Sequence, residues 1–125
     1  MAVTYTNAVK IARMNAVITL IDVGSGSELV IMESDDTVVA NIPLADPSAP
    51  GAAGAGVITF TPGGMSDTNA PSGGTAAKAE INDGNGLTVI SGLTVGVGAE
   101  DIVLDSVSIT AGQTVTISSA TITHA

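Results

Sequence analysis

Apolar residues recur at helical spacing in one part of the chain only. Val9, Ala12, Ala16 and Leu20 fall on one stripe, which predicts a helix over about residues 7–21. Thr6 or Asn7 can serve as its N-cap and Gly24 as its stop. The β-branched run Val17-Ile18-Thr19 inside it would equally suit a strand. After Gly24-Ser25-Gly26 the period changes. Residues 28–33 and 37–44 read as two strands around the turn Ser34-Asp35-Asp36, a hairpin. Both are continuous apolar runs, which implies burial on both faces and leaves the helix as the obvious cover for the second face.

Two segments rich in Pro, Gly, Ala and Ser follow, 45–56 and 62–75, and read as long loops. Between them, residues 57–61 form a short strand with Ile58 and Phe60 on one face. Farther on, Ala77, Ala79 and Ile81 alternate with Lys78 and Glu80, a half-buried strand. It leads into Asn82-Asp83-Gly84-Asn85-Gly86, a strong hairpin signal because Gly and Asn tolerate the positive φ of such turns. The partner strand covers 87–95 with a bend at Gly92, and 101–109 and 114–123 form a last pair around Ala111-Gly112-Gln113. In that pair the apolar phase slips, from Ile102 and Leu104 to Val107 and Ile109, and from Val115 and Ile117 to Ile122. Such a slip means a bulge or a strand passing between sheets. The expected fold is mainly β, an antiparallel β-sandwich of about seven short strands with one N-terminal helix, in a single domain spanning 1–125.

Composition narrows the picture. The apolar share of 45% is almost all Ala, Val, Ile and Leu, and Tyr5 and Phe60 are the only aromatics, so the core must be thin and aliphatic. The absence of cysteine excludes disulfides and thiolate metal sites. Twelve acids stand against Lys10, Arg13 and Lys78, giving a net charge of −9. A nucleic-acid binder needs clustered cations to displace counterions, so direct nucleic-acid binding is not expected. No apolar stretch is long enough for a membrane-spanning helix, and the run 16–23 contains Asp22 and lacks a cleavage site. Neither a membrane location nor a signal peptide is expected, and a soluble product made in the cytoplasm is the expectation.

The chemistry-bearing residues are sparse. The only histidine, His124, stands next to the chain end, where ordering is usually poor, and is a bad candidate for a positioned base. Asp101 with Asp105, and Asp35 with Asp36, are possible carboxylate pairs, yet the chain lacks the aromatic platforms that sugar sites use. Calcium has one candidate site, the oxygen donors Asn82, Asp83 and Asn85, although no Glu closes the loop as in an EF-hand and the hairpin accounts for each of them. The Gly-rich stretches 51–56 and Pro62-Gly63-Gly64 carry no lysine and lead into no helix, which argues against phosphate cradles. No enzyme activity and no cofactor are expected.

One resemblance adds to this. The residues that carry it begin with Asn15-Ala16-Val17 and Ile21-Asp22-Val23-Gly24-Ser25-Gly26, leading into the strand at 28–32. They continue with Ala76-Ala77-Lys78-Ala79, Asp83-Gly84-Asn85-Gly86 and Asp101-Ile102-Val103-Leu104, and end with Ser108-Ile109-Thr110-Ala111-Gly112-Gln113-Thr114-Val115-Thr116-Ile117. This pattern resembles a family of small virion proteins encoded among the structural genes of tailed bacteriophages and prophages. It covers most of the chain, is loose between residues 45 and 75, and departs near Lys78, where relatives tend to carry an aromatic. No catalytic or ligand residues come with it. The resemblance implies a homo-oligomeric virion component, with capsid decoration (cement) on the outer shell surface as the expected role. Its partners would be the major capsid protein and copies of itself. A tail or head–tail connector component is the alternative, and a surface glycan-binding module the alternative from another class. Shell contacts are expected from the N-terminal segment and the two loops, at Tyr5, Pro47, Pro50, Pro62, Met65 and Pro71.

Overall fold

The computed structural model describes residues 3–24, 26–45, 47–60, 66–67 and 70–124. Thr6, in extended conformation, caps the helix α1 (Asn7–Ile21), its hydroxyl accepting from the Val9 N–H at 3.4 Å. The Asp22 N–H donates to the Ile18 carbonyl at the other end, and the helix stops ahead of Gly24. Met14, Ile18 and Ile21 are its buried residues, with Ile11 and Val17 half-buried. The stripe that marks the helix in sequence faces outward instead: Val9 and Leu20 are 38% and 55% exposed, and Ala12 and Ala16 are exposed beside them. The helix is apolar on two opposite faces, and the bulkier one enters the core. That follows from transfer energetics, since a methionine and two isoleucines remove more apolar surface from water than alanines do.

Ten strands follow among the described residues: β1 (Glu28–Met32), β2 (Val38–Pro43), β3 (Val57–Thr59), β4 (Ser66–Asp67), β5 (Gly74–Thr75), β6 (Lys78–Asn82), β7 (Thr88–Gly96), β8 (Ile102–Leu104), β9 (Ser108–Ile109) and β10 (Val115–Thr123). The main sheet runs β2-β1-β6-β7-β8-β10-β3, with β4 added on β10, and β5-β9 form a small second sheet. The sheet is rolled, because β2 at one edge lies close to β4 near the other. The chain is therefore mainly β, with one helix among the described residues, at the N-terminal side, and sandwich-like in its layering. Segment 62–75, expected as an uninterrupted loop, holds β4 and β5. They are two-residue pairings with non-local partners, which local composition does not signal.

The β1–β2 and β6–β7 hairpins form where their turns predict them. In the first, the Glu33 N–H donates to the Thr37 carbonyl, Asp36 takes φ +73°, and the Asp35 carboxylate accepts from the Thr37 N–H. β7 bends at Gly92, where the register against β6 slips between Ala79 and Ile81. Gly92 has φ +74°, the left-handed conformation that such a bulge asks of one residue. Both predicted phase slips have structural causes. β10 bulges between Ile117 and Ser119, and the chain leaves the main sheet after β8 to join the small sheet as β9.

Two pairings depart from expectation. β10 pairs with β8 but not with β9, which pairs with β5. β7 and β8 run parallel, so the sheet is mixed rather than purely antiparallel. Parallel neighbours usually need a long crossover. Here the short connection 97–101 suffices because side chains pin it. Thr94 and Asp101 exchange hydrogen bonds, Asp101 Oδ2 accepting from the Thr94 N–H and Thr94 Oγ1 from the Asp101 N–H, while Glu100 accepts from the Gly98 N–H.

The core is aliphatic, as composition requires. Ile21, Leu29, Ile31, Ile42, Ile58, Ile81, Ile102 and Leu104 are essentially inaccessible, and Phe60 is its aromatic member. Leu29, Val30 and Ile31 are all buried, so β1 is covered on both faces. The helix contributes to the same core but approaches β3 and β7 most closely, rather than lying on the β1–β2 hairpin.

Candidate functional site

The calcium candidates sit in the β6–β7 turn. Asp83, 9% exposed, accepts from the N–H groups of Asn85 and Leu87 through Oδ1 at 2.9 and 3.0 Å, so that oxygen holds the turn. An open cavity of about 180 Å³ beside it is lined by Gly26, Glu28, Asn82, Asp83, Gly84 and Gly86. Two of the three expected donors, Asn82 and Asp83, line it. Asn85 does not; its side chain instead lies against Gly24. Glu28 is the carboxylate the sequence reading missed there, brought in by the β1–β6 register, which sets Glu28 opposite Asn82. Asn82 Oδ1 is buried without a hydrogen-bond partner among the described residues. Also among the described residues, no group of three His, Cys, Asp or Glu side chains could hold a metal ion.

His124 is not a frayed tail residue. Its N–H donates to the Gly56 carbonyl at 2.9 Å, extending the β10–β3 pairing, and its ring meets that of Tyr5 edge-on at 6.2 Å. The Arg13 guanidinium lies over the other ring of this cluster, 4.0 Å from the Tyr5 centroid. Lys10 touches Gly56 from the helix side. Arg13 and His124 thus meet at Tyr5, and Lys10, a third of the chain's four basic or imidazole residues, lies beside Gly56 on the same half of α1. The fourth, Lys78, pairs with Asp36 at the rim of an open cleft on the sheet, lined also by Met32, Ala79, Glu80, Ser91 and Gly92.

Of the remaining candidate carboxylates, Asp101 and Asp35 have structural work. Asp101 serves the β7–β8 connection, and Asp105 is exposed beyond β8. Asp35 is held below the usual carboxylate range, first by the Thr37 hydroxyl and then by the Thr37 N–H.

The expected contact residues fall into three groups. Tyr5 is 37% exposed beside the helix. Pro47, Pro50 and Pro71 are exposed. Pro62 and Met65 lie outside the described residues. The 45–56 loop lies along α1: Asn15 accepts from the Ala52 N–H at 2.8 Å and Asp22 from the Ser48 N–H at 3.0 Å, with Ser48 and Ala49 buried beneath. It is laid down by the helix, with its prolines turned outward.

Sequence reasoning placed contacts on the N-terminal segment and Tyr5 but missed the exposed apolar face of the helix. Val3, Tyr5, Val9, Leu20, Val23 and Leu87 are exposed, and apart from Val97 they make up the large exposed hydrophobics of the described residues. All but Leu87 belong to α1 or its flanks. Leu87 joins them because its hairpin is tied to the helix end, the Gly84 N–H donating to the Val23 carbonyl. Clustering of this kind marks an interaction surface, where scattered single residues would not.

Comparison with known proteins gives no match to this chain among protein-family models, curated proteins or solved structures.

Proposed function

We propose that this chain is a non-enzymatic structural protein of a tailed-phage virion, a capsid decoration protein that bridges and stabilises neighbouring capsomers. The observation that supports it most is the distribution of apolar surface. A domain with a thin aliphatic core leaves six large hydrophobic side chains exposed in and around one helix instead of burying them. This is the signature of a protein that completes its packing against a partner. The sequence resemblance supplies the setting. The excess of acids, with no basic tract, suits an outer shell surface better than contact with packaged DNA. Binding would combine that helix face with the exposed prolines of the 45–56 loop, and many weak contacts would add up across copies.

Add-back tests the reading. Purified protein is mixed with expanded shells that lack it, and the particles are imaged. The proposal expects density at positions between capsomers and greater resistance of the shells to heat. Protein that ignores shells and co-purifies with free tails would support the connector reading instead. Binding to a host surface polysaccharide by the isolated chain would support a glycan-binding module.

A further inference from the structure

We propose that the outer face of α1 is a self-association surface on which two copies pair their helices antiparallel, about a two-fold axis passing near Ala16. This deepens the proposed function and rests on it for its biological setting, whereas the contact itself is argued from the helix.

The exposed stripe runs Val9, Ala12, Ala16, Leu20 and Val23, so its larger members stand at the two ends and its alanines in the middle. Small residues at a crossing let helix axes approach to about 8 Å, near the lower limit for packed helices. The charges select the direction. Lys10 and Arg13 occupy the N-terminal half of α1, while Asp22 stands at its C-cap. Lys10 lies in the first turn and Asp22 at the C-cap, so the charges at both ends oppose the helix dipole. An antiparallel partner relieves both ends at once, setting each basic half against the other copy's acidic end. A parallel partner would set like against like. A two-fold arrangement is also the commonest closed symmetry for identical chains.

Size sets the strength. A helix of 15 residues is about 22 Å long and presents a strip roughly 10 Å wide. Two such strips bury well under the roughly 1,200 Å² typical of stable complexes. The pair is therefore weak in dilute solution. It strengthens when copies are held close together on a surface.

The test uses the full chain in sedimentation velocity over a concentration series, at low and at high salt. The expected result is a reversible monomer–dimer equilibrium that weakens several-fold as salt rises, and at least about tenfold in Leu20→Glu. Direction is read by cross-linking, which is clean because the chain has no cysteine of its own. Ala16→Cys forms a disulfide-linked dimer with itself. Val9→Cys and Val23→Cys link to each other on mixing but not to themselves, and Ala111→Cys, in a remote turn, serves as the control. A chain that is monomeric up to millimolar concentration overturns the proposal. So does a dimer indifferent to Leu20→Glu, a closed ring of more than two copies, or cross-linking of Ala16→Cys no faster than the control. If the chain stays monomeric and Leu20→Glu abolishes attachment to shells, the face belongs to the shell and the proposed function stands without the dimer. A confirmed dimer that never binds shells leaves the dimer and removes the proposed function.

Discussion

Gly56 is where three parts of the chain meet, and replacing it with alanine puts a number on that junction. Its φ is +82°, and a Cβ added there would lie 2.8 Å from Lys10 Cβ, 2.9 Å from His124 Cβ and 3.2 Å from the Lys10 carbonyl carbon. None of these is the free end of a flexible side chain. Left-handed backbone costs an alanine about 1–2 kcal/mol, and forcing a methyl into a filled site typically costs about 1–3 kcal/mol more. The lower entropy of the unfolded alanine chain returns about 0.4–1 kcal/mol. The net expectation for Gly56→Ala is a loss of about 2–4 kcal/mol, a large part of the stability of a small domain. Gly54→Ala is the control, because Gly54 also has positive φ, +57°, but has nothing within 4 Å of an added Cβ. It should lose only the backbone component, about 1 kcal/mol. Urea unfolding followed by circular dichroism measures both, as a fall in midpoint at unchanged slope. Equal losses in the two variants would refute the crowding argument, and with it the packing of α1 against the C-terminal strand.

Three further outcomes follow from the same structure. At dilutions where the chain is monomeric, Ile18→Ala should cost about 2–5 kcal/mol by emptying core volume, and Leu20→Ala no more than about 0.5 kcal/mol; the reverse order would mean that the opposite helix face is buried. Removing the acceptors that hold the 45–56 loop, by Asn15→Ala and Asp22→Ala, should cost about 1 kcal/mol each. These changes should speed hydrogen exchange at the Ala52 and Ser48 amides respectively and leave the amides of β10 unchanged, whereas uniform acceleration would contradict local anchoring. The depressed Asp35 carboxyl binds a proton less readily folded than unfolded, so its small stabilisation is present above about pH 4 and is lost as pH falls through the lower folded value. Asp35→Asn should flatten the acid limb of the stability curve, and an unchanged limb would show that Thr37 does not hold the carboxylate.

How much of this was legible in the sequence depended on range. The helix limits were readable because Thr6 and Gly24 act locally, and both hairpins were readable because Asp35-Asp36 and Asn82–Gly86 encode their turns within a few residues. The helix face was not, because spacing alone cannot choose between two apolar stripes; side-chain bulk at Met14, Ile18 and Ile21 was the signal that could have chosen. The phase slips were readable as events, but the partners they led to were not. The β5–β9 and β4–β10 pairings join segments far apart in sequence through two residues each. The parallel β7–β8 pairing rests on Asp101, which in sequence looks like one more surface acid. Around the candidate sites, Glu28 reaches the Asn82–Asp83 cavity only through strand register, and Tyr5, Arg13 and His124 meet only once both ends of the chain are in place.

The claim that this chain works by adhesion within a virion is tested most directly by counting its copies per particle, using quantitative mass spectrometry of purified virions against the shell subunit. The account predicts copies comparable in number with the major capsid protein. A handful of copies per particle, or none, would contradict it.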